Sequence, residues 1–87
     1  MKVGQTQRGF GVATFHDVNG QECSIQESSA IDFETPDGLD IPGSSYLWLG
    51  TDKPVGGRMH LNRSTVKKLC RLMRRWLKTK RLTEGGA

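Results

Sequence analysis

Apolar and polar positions follow two different periods along this chain. From Asn62 to Leu82 (NRSTVKKLCRLMRRWLKTKRL) the spacing is helical. At 100° per residue, Val66, Leu69, Cys70, Met73, Trp76 and Leu77 share one face, and Lys67, Lys68, Arg71, Arg74, Arg75 and Lys78 fill the opposite arc. Asn62 is a good N-cap, Leu61 can staple onto Val66, and Gly85-Gly86 ends any helix that frays so far. The period elsewhere is two. Gly9 to Glu27 carries two β-rich runs about Asn19-Gly20, a hairpin signal whose type I′ turn would pair Val18 with Gln21, His16 with Cys23, Thr14 with Ile25 and Val12 with Glu27. That register predicts a core face of Val12, Thr14, His16, Val18, Cys23 and Ile25. Ala13, Phe15, Ser24 and Gln26 fall on the other.

A second hairpin is predicted over 46–61, from Tyr46-Leu47-Trp48-Leu49 and Arg58-Met59-His60-Leu61 joined by GTDKPVGG. Strand alternation sends Leu47, Leu49, Met59 and Leu61 towards the helix and Tyr46, Trp48, Arg58 and His60 to the far side. Between the hairpins, residues 28–45 form an acidic, irregular loop with a turn at Pro36-Asp37-Gly38. Ile31, Phe33, Leu39 and Ile41 there suit a short edge strand or a partner-facing flap. Residues 1–8 read as loosely held and 83–87 as a tail. The expected fold is α+β in a single domain: a three- or four-stranded antiparallel sheet packed on one carboxy-terminal amphipathic helix.

Charge sharpens this picture. The net +4 of the 87 residues hides a division: residues 1–61 hold four basic and eight acidic groups, and 62–82 hold nine basic groups and no acid. Such a dipole steers an anionic partner to the helix or pairs the helix with acidic loops of another copy. A chain this short buries only about 60–65% of its unfolded surface, so a homo-oligomer is expected. No apolar run approaches transmembrane length and the first residues hold no signal core, so no membrane partner is expected. Cys23 and Cys70 form no Cys-x-x-Cys motif and read as reduced core thiols.

Three blocks carry a resemblance: Glu22-Cys-Ser-Ile-Gln-Glu-Ser-Ser29, Leu47-Trp-Leu-Gly50 and Arg58-Met-His-Leu61 before a helix. In this order they resemble blocks of a group of small phage and prophage proteins with no established activity, over roughly residues 10–82. The resemblance implies an accessory protein of a bacterial virus, acting in the host cytoplasm, with counter-defence as the expected role. The strongly basic helix departs from that group.

The candidate sites divide accordingly. Tyr46, Trp48, Arg58 and His60 have the chemistry for a planar, anionic, nucleotide-like ligand: aromatics to stack a base, Arg to fork onto phosphate. Gln26, Ser28 and Ser29 would add hydrogen bonds, although serines there also suit a loop cap, and the aromatic face also suits a subunit interface. The helix cations Lys67, Lys68, Arg71, Arg74, Arg75 and Lys78 suit a nucleic-acid backbone or simply solvation. His16, Cys23, His60 and Cys70 match no metal-ligand spacing, and no catalytic constellation or cofactor motif is recognisable, so no enzyme is expected. The leading expectation is sequestration of a nucleotide-like ligand in a pocket of the oligomer. The rivals are nucleic-acid binding through the helix, and inhibition of a host defence protein through the acidic 32–40 loop or the helix.

Overall fold

The computed structural model describes residues 1–30, 45–52 and 57–83. Strands β1 (Lys2–Gln5), β2 (Gly11–His16), β3 (Glu22–Glu27) and β4 (Leu47–Thr51) form one antiparallel sheet in the order β1-β2-β3-β4, followed by helix α1 (Arg63–Thr79). The α+β class expected from the sequence is the one observed. The expected loop 28–45, its turn and its apolar alternation lie largely outside the described residues, as do residues 53–56 of the 50–57 connection and the last four residues of the tail.

Two turns of one design set the register. In the first, Thr6 N–H donates to Phe10 O and Gly9 N–H to Thr6 O, while Thr6 Oγ1 accepts from Phe10 N–H. In the second, Asp17 N–H donates to Gln21 O and Gly20 N–H to Asp17 O, while Asp17 Oδ1 accepts from Gln21 N–H. Gly9 (φ 85°) and Gly20 (φ 77°) each close a three-residue loop in the left-handed region, the pattern of a type I turn with a G1 bulge. Asn19 keeps a negative φ. The expected two-residue type I′ turn is therefore replaced by a loop one residue longer.

That extra residue inverts β2. Phe15 pairs with Cys23 and Ala13 with Ile25, where the sequence reading paired His16 with Cys23 and Thr14 with Ile25. A one-residue slip sends every side chain of a strand to the other face. The core accordingly takes Ala13, Phe15, Cys23 and Ile25. Val12, Thr14 and His16 stand on the open face instead, and Val18 is exposed in the turn. Full burial of Phe15 or Ile25 contributes about 1.5–3 kcal/mol each, so this register has a large advantage.

The amino terminus is not loose. Lys2–Gln5 pairs with β2 in the register Lys2↔Thr14 to Gln5↔Gly11, and Val3 packs on the core. The expected 46–61 hairpin does not form either. β4 pairs with β3, Glu27↔Leu47 through Cys23↔Thr51, and residues 58–61 contribute no strand. Met59 and Leu61 still pack on the core from an irregular segment.

Helix α1 starts as its sequence demands: Asn62 Oδ1 accepts from Thr65 N–H at 2.9 Å. It ends three residues before Leu82, where Lys80 turns left-handed (φ 65°) and donates its N–H to Trp76 O. The buried stripe is centred on Leu69 and Leu72, with Met73 and Trp76 packed beside it. Val66, Cys70 and Leu77, expected in the core, are exposed. The stripe is turned towards Leu72 because the chain folds back after Lys80 and seats Leu82, 2% exposed, in the same core. Glu27 Oε2 holds that return, accepting from Leu82 N–H at 2.6 Å and Arg81 Nε at 3.2 Å. Arg81 also donates from Nη2 to Gly9 O at 3.0 Å, tying the helix end to the β1–β2 turn.

Candidate anion-binding surface

The expected ligand quartet is split between the two ends of the sheet. Trp48, 67% exposed, stands on the open face opposite Gln26, and Tyr46 is exposed just before β4. Arg58 and His60 lie on the segment crossing the β2–β3 turn. There Arg58 O accepts from Gln21 Nε2, His60 N–H donates to Asp17 Oδ2 at 3.1 Å, and His60 O accepts from Val18 N–H. Five residues of near-extended chain separate Gln21 from Gln26, about 17 Å along the strand. Arg58 and His60 thus do not join Trp48 in one site.

Asp17 organises the Arg58–His60 end. Its carboxylate accepts from the N–H groups of Asn19, Gln21 and His60 and from Gln21 Nε2. Burial pushes its pKa up, but these hydrogen bonds outweigh that and hold it below the ordinary carboxylate value. The group is a structural anchor for residues 57–60, with its acceptor capacity already used.

Three of the seven expected ligand residues do come together. Gln26, Ser29 and Trp48 line a hollow of about 340 Å³ with Arg8, Phe10 and Glu27. The Arg8 guanidinium carbon sits 5.7 Å from the Phe10 ring centroid, within cation–π range. Sequence reasoning missed Arg8 because it read residues 1–8 as loosely held, and it gave Phe10, in the first β-rich run, no role. The Thr6-Gln-Arg-Gly9 turn signal ahead of β2 was the clue. Ser28 does not face a ligand: it is 3% exposed, its Oγ accepts from Ala30 N–H at 3.1 Å, and its N–H donates to Tyr46 O. The loop-capping reading holds for it.

The helix offers a larger cationic surface. Lys67, Lys68, Arg71, Arg74, Arg75 and Lys78 occupy an arc of roughly 120°. None of the six makes an ion pair among the described residues. Lys68, Arg71 and Arg75 line a hollow of about 430 Å³ whose apolar side is Met1, Val3 and Leu72. A neighbouring hollow of about 390 Å³ shares Met1 and Lys68 and adds Lys2, His16 and Thr65. Together they make a groove between α1 and the β1 edge with no carboxylate among the described residues that line it. Lys67, Arg74 and Lys78 continue the charge on the outer side of the helix.

His16 and Cys23 project from opposite faces of the sheet, so they do not converge on a metal. Burial, with the nearby Asp17 charge, pushes the Cys23 thiol pKa up, away from the reactive thiolate. Cys70 is exposed on the helix, where a core position was expected.

Among the described residues the architecture is therefore that of a one-sided sheet, open on one face and covered on the other by a helix with a cationic outer surface. No protein-family model, curated protein or solved structure matches the chain.

Proposed function

We propose that this chain is a non-enzymatic binding protein that holds the phosphate backbone of a nucleic acid on α1 and in the groove beside β1. The observation that carries this reading is the groove: Lys68, Arg71 and Arg75 around one hollow, unpaired by any described carboxylate and walled by Val3 and Leu72. Lys67 to Lys78 covers eleven helical steps, about 16 Å, or roughly five phosphate spacings of a strand. The resemblance of the 22–29, 47–50 and 58–61 blocks to phage proteins supports a viral accessory role in a bacterial host cytoplasm, with counter-defence as its purpose.

Six backbone contacts give a salt slope near −4 on a single strand, so affinity should fall by about 300-fold between 50 and 200 mM salt. Fluorescence anisotropy with labelled oligonucleotides tests this directly. Arg71→Gln/Arg75→Gln should weaken binding and flatten the slope, while Arg58→Gln/His60→Gln should leave both unchanged. Binding that ignores the helix pair and the salt would overturn the reading.

The second reading is sequestration of a small nucleotide-like ligand, between subunits of a homo-oligomer. It is favoured by the hollow at Gln26, Ser29 and Trp48, with Arg8 taking the phosphate role expected of Arg58. Thermal stabilisation by one mononucleotide or cyclic nucleotide, persisting at high salt, is its distinguishing result.

A further inference from the structure

The hollow at Trp48 and the groove on α1 are joined by the β1–β2 turn. Arg81, beyond the helix end, donates to Gly9 O, and Arg8, the next residue of that turn, lines the hollow. Cationic side chains thus run from Arg75 and Lys78 past Arg81 to Arg8. A backbone lying on the helix and leaving at its carboxy-terminal end reaches the hollow by passing round that turn to the other face of the sheet.

The hollow differs in kind from the groove. Trp48 presents an exposed indole, and Gln26 across the strand pair offers an amide that both donates and accepts. Ser29 adds a hydroxyl and Arg8 a cation. Glu27 also lines it, but its side chain lies on the core face with Ile25 and Cys23, where Oε2 holds Leu82 N–H and Arg81 Nε, so it offers a base no exposed acceptor. An aromatic plane, a two-way amide and a cation within 340 Å³ match a base and its phosphate better than a bare phosphate. Bases within a duplex keep their faces stacked, so only an unstacked base can use an indole this way.

We infer that the hollow beside Trp48 takes one unstacked base of a single-stranded nucleic acid whose backbone lies on α1, so that the preferred ligand is single-stranded. The inference rests on the nucleic-acid reading above and names its substrate class. Stacking on one aromatic is worth between about fivefold and 150-fold in affinity.

The test is anisotropy with a 20-nucleotide single strand and its matched duplex, using the full chain, Trp48→Ala and Arg71→Gln/Arg75→Gln. The unaltered protein should favour the single strand at least fivefold. Trp48→Ala should remove that preference while keeping duplex affinity and salt slope, and the arginine pair should weaken both ligands. Trp48 is exposed, so its variant should melt within a few degrees of the parent, which confirms folding. Equal affinity of the unaltered protein for strand and duplex, or a Trp48→Ala variant that keeps the preference, would overturn the inference and leave the groove standing. Failure to bind either ligand would overturn both.

Discussion

Gly11→Ala probes the contact that locks the end of the chain onto the sheet. Gly11 faces the core from the first position of β2, under the return of the chain after α1. A Cβ there would lie 2.5 Å from both Glu27 Oε2 and Leu82 O, and 3.0 Å from Leu82 Cβ. Neither oxygen can simply swing away: Glu27 Oε2 holds Leu82 N–H and Arg81 Nε, and Leu82 O is backbone. Overpacking of this kind costs about 1–3 kcal/mol, offset by about 0.4–1 kcal/mol from the stiffer unfolded chain. The middle of these ranges gives a net loss of about 1–2 kcal/mol. In a domain of this length each kcal/mol moves Tm by about 4–8 °C, so the drop should be about 4–16 °C. Gly4→Ala is the control, because Gly4 pairs with Val12 on the open face and a Cβ there meets nothing within 4 Å. It should melt at or slightly above the parent temperature. Circular dichroism melts of the two variants decide it. If Gly11→Ala melts with the parent, or the two variants shift together, the clasp of Glu27 and Leu82 over Gly11 is wrong.

The register, the turn anchor and the thiols each yield a further measurement. Ile25→Val should cost about 0.5–1.5 kcal/mol and Val12→Ala less than Ile25→Val, because Ile25 is fully buried and Val12 stands on the open face. Equal losses in chemical denaturation would favour the slipped register. Asp17→Asn should melt below the parent at pH 7. The folded carboxylate titrates below its unfolded value of about 3.9, so its stabilisation is complete above that pH and is lost as pH falls through the folded value. The gap between the two melting temperatures should therefore close in acid, and a gap unchanged at pH 3 would refute the hydrogen-bonded anchor. A thiol reagent at neutral pH should label Cys70 in the native protein and reach Cys23 only on unfolding, which mass spectrometry of labelled peptides can read.

The helix was legible because its signals are local: Asn62 caps it, and the apolar spacing of Leu69, Met73 and Trp76 requires no knowledge of a partner. The sheet was legible in kind and wrong in register. Asn19-Gly20 marks a turn, but its length is decided by the Asp17 carboxylate, which gathers Asn19, Gln21 and the remote His60. That contact spans 43 residues and leaves no periodic trace. Residues 58–61 misled for the same reason, since Met59 and Leu61 alternate like a strand while the His60 backbone between them serves Asp17 and Val18. β1 was missed because only Val3 among its four residues is apolar and packs on the core. The candidate site suffered accordingly. Gln26, Ser29 and Trp48 were found from chemistry, but Arg8 was hidden by the missed strand, and Arg58 and His60 were drawn in by the false hairpin. The helix cations needed no tertiary contact to be placed, and their clustering around Val3 depended on β1.

The most direct test of backbone binding on α1 is an amide NMR titration of the isotope-labelled protein with a short single-stranded oligonucleotide. The largest shifts should fall along Lys67 to Lys78 and at Lys2 and Val3, with the Trp48 indole N–H moving as well. Shifts confined to Arg58, His60 and the β2–β3 turn, or no shifts at low salt, would contradict it.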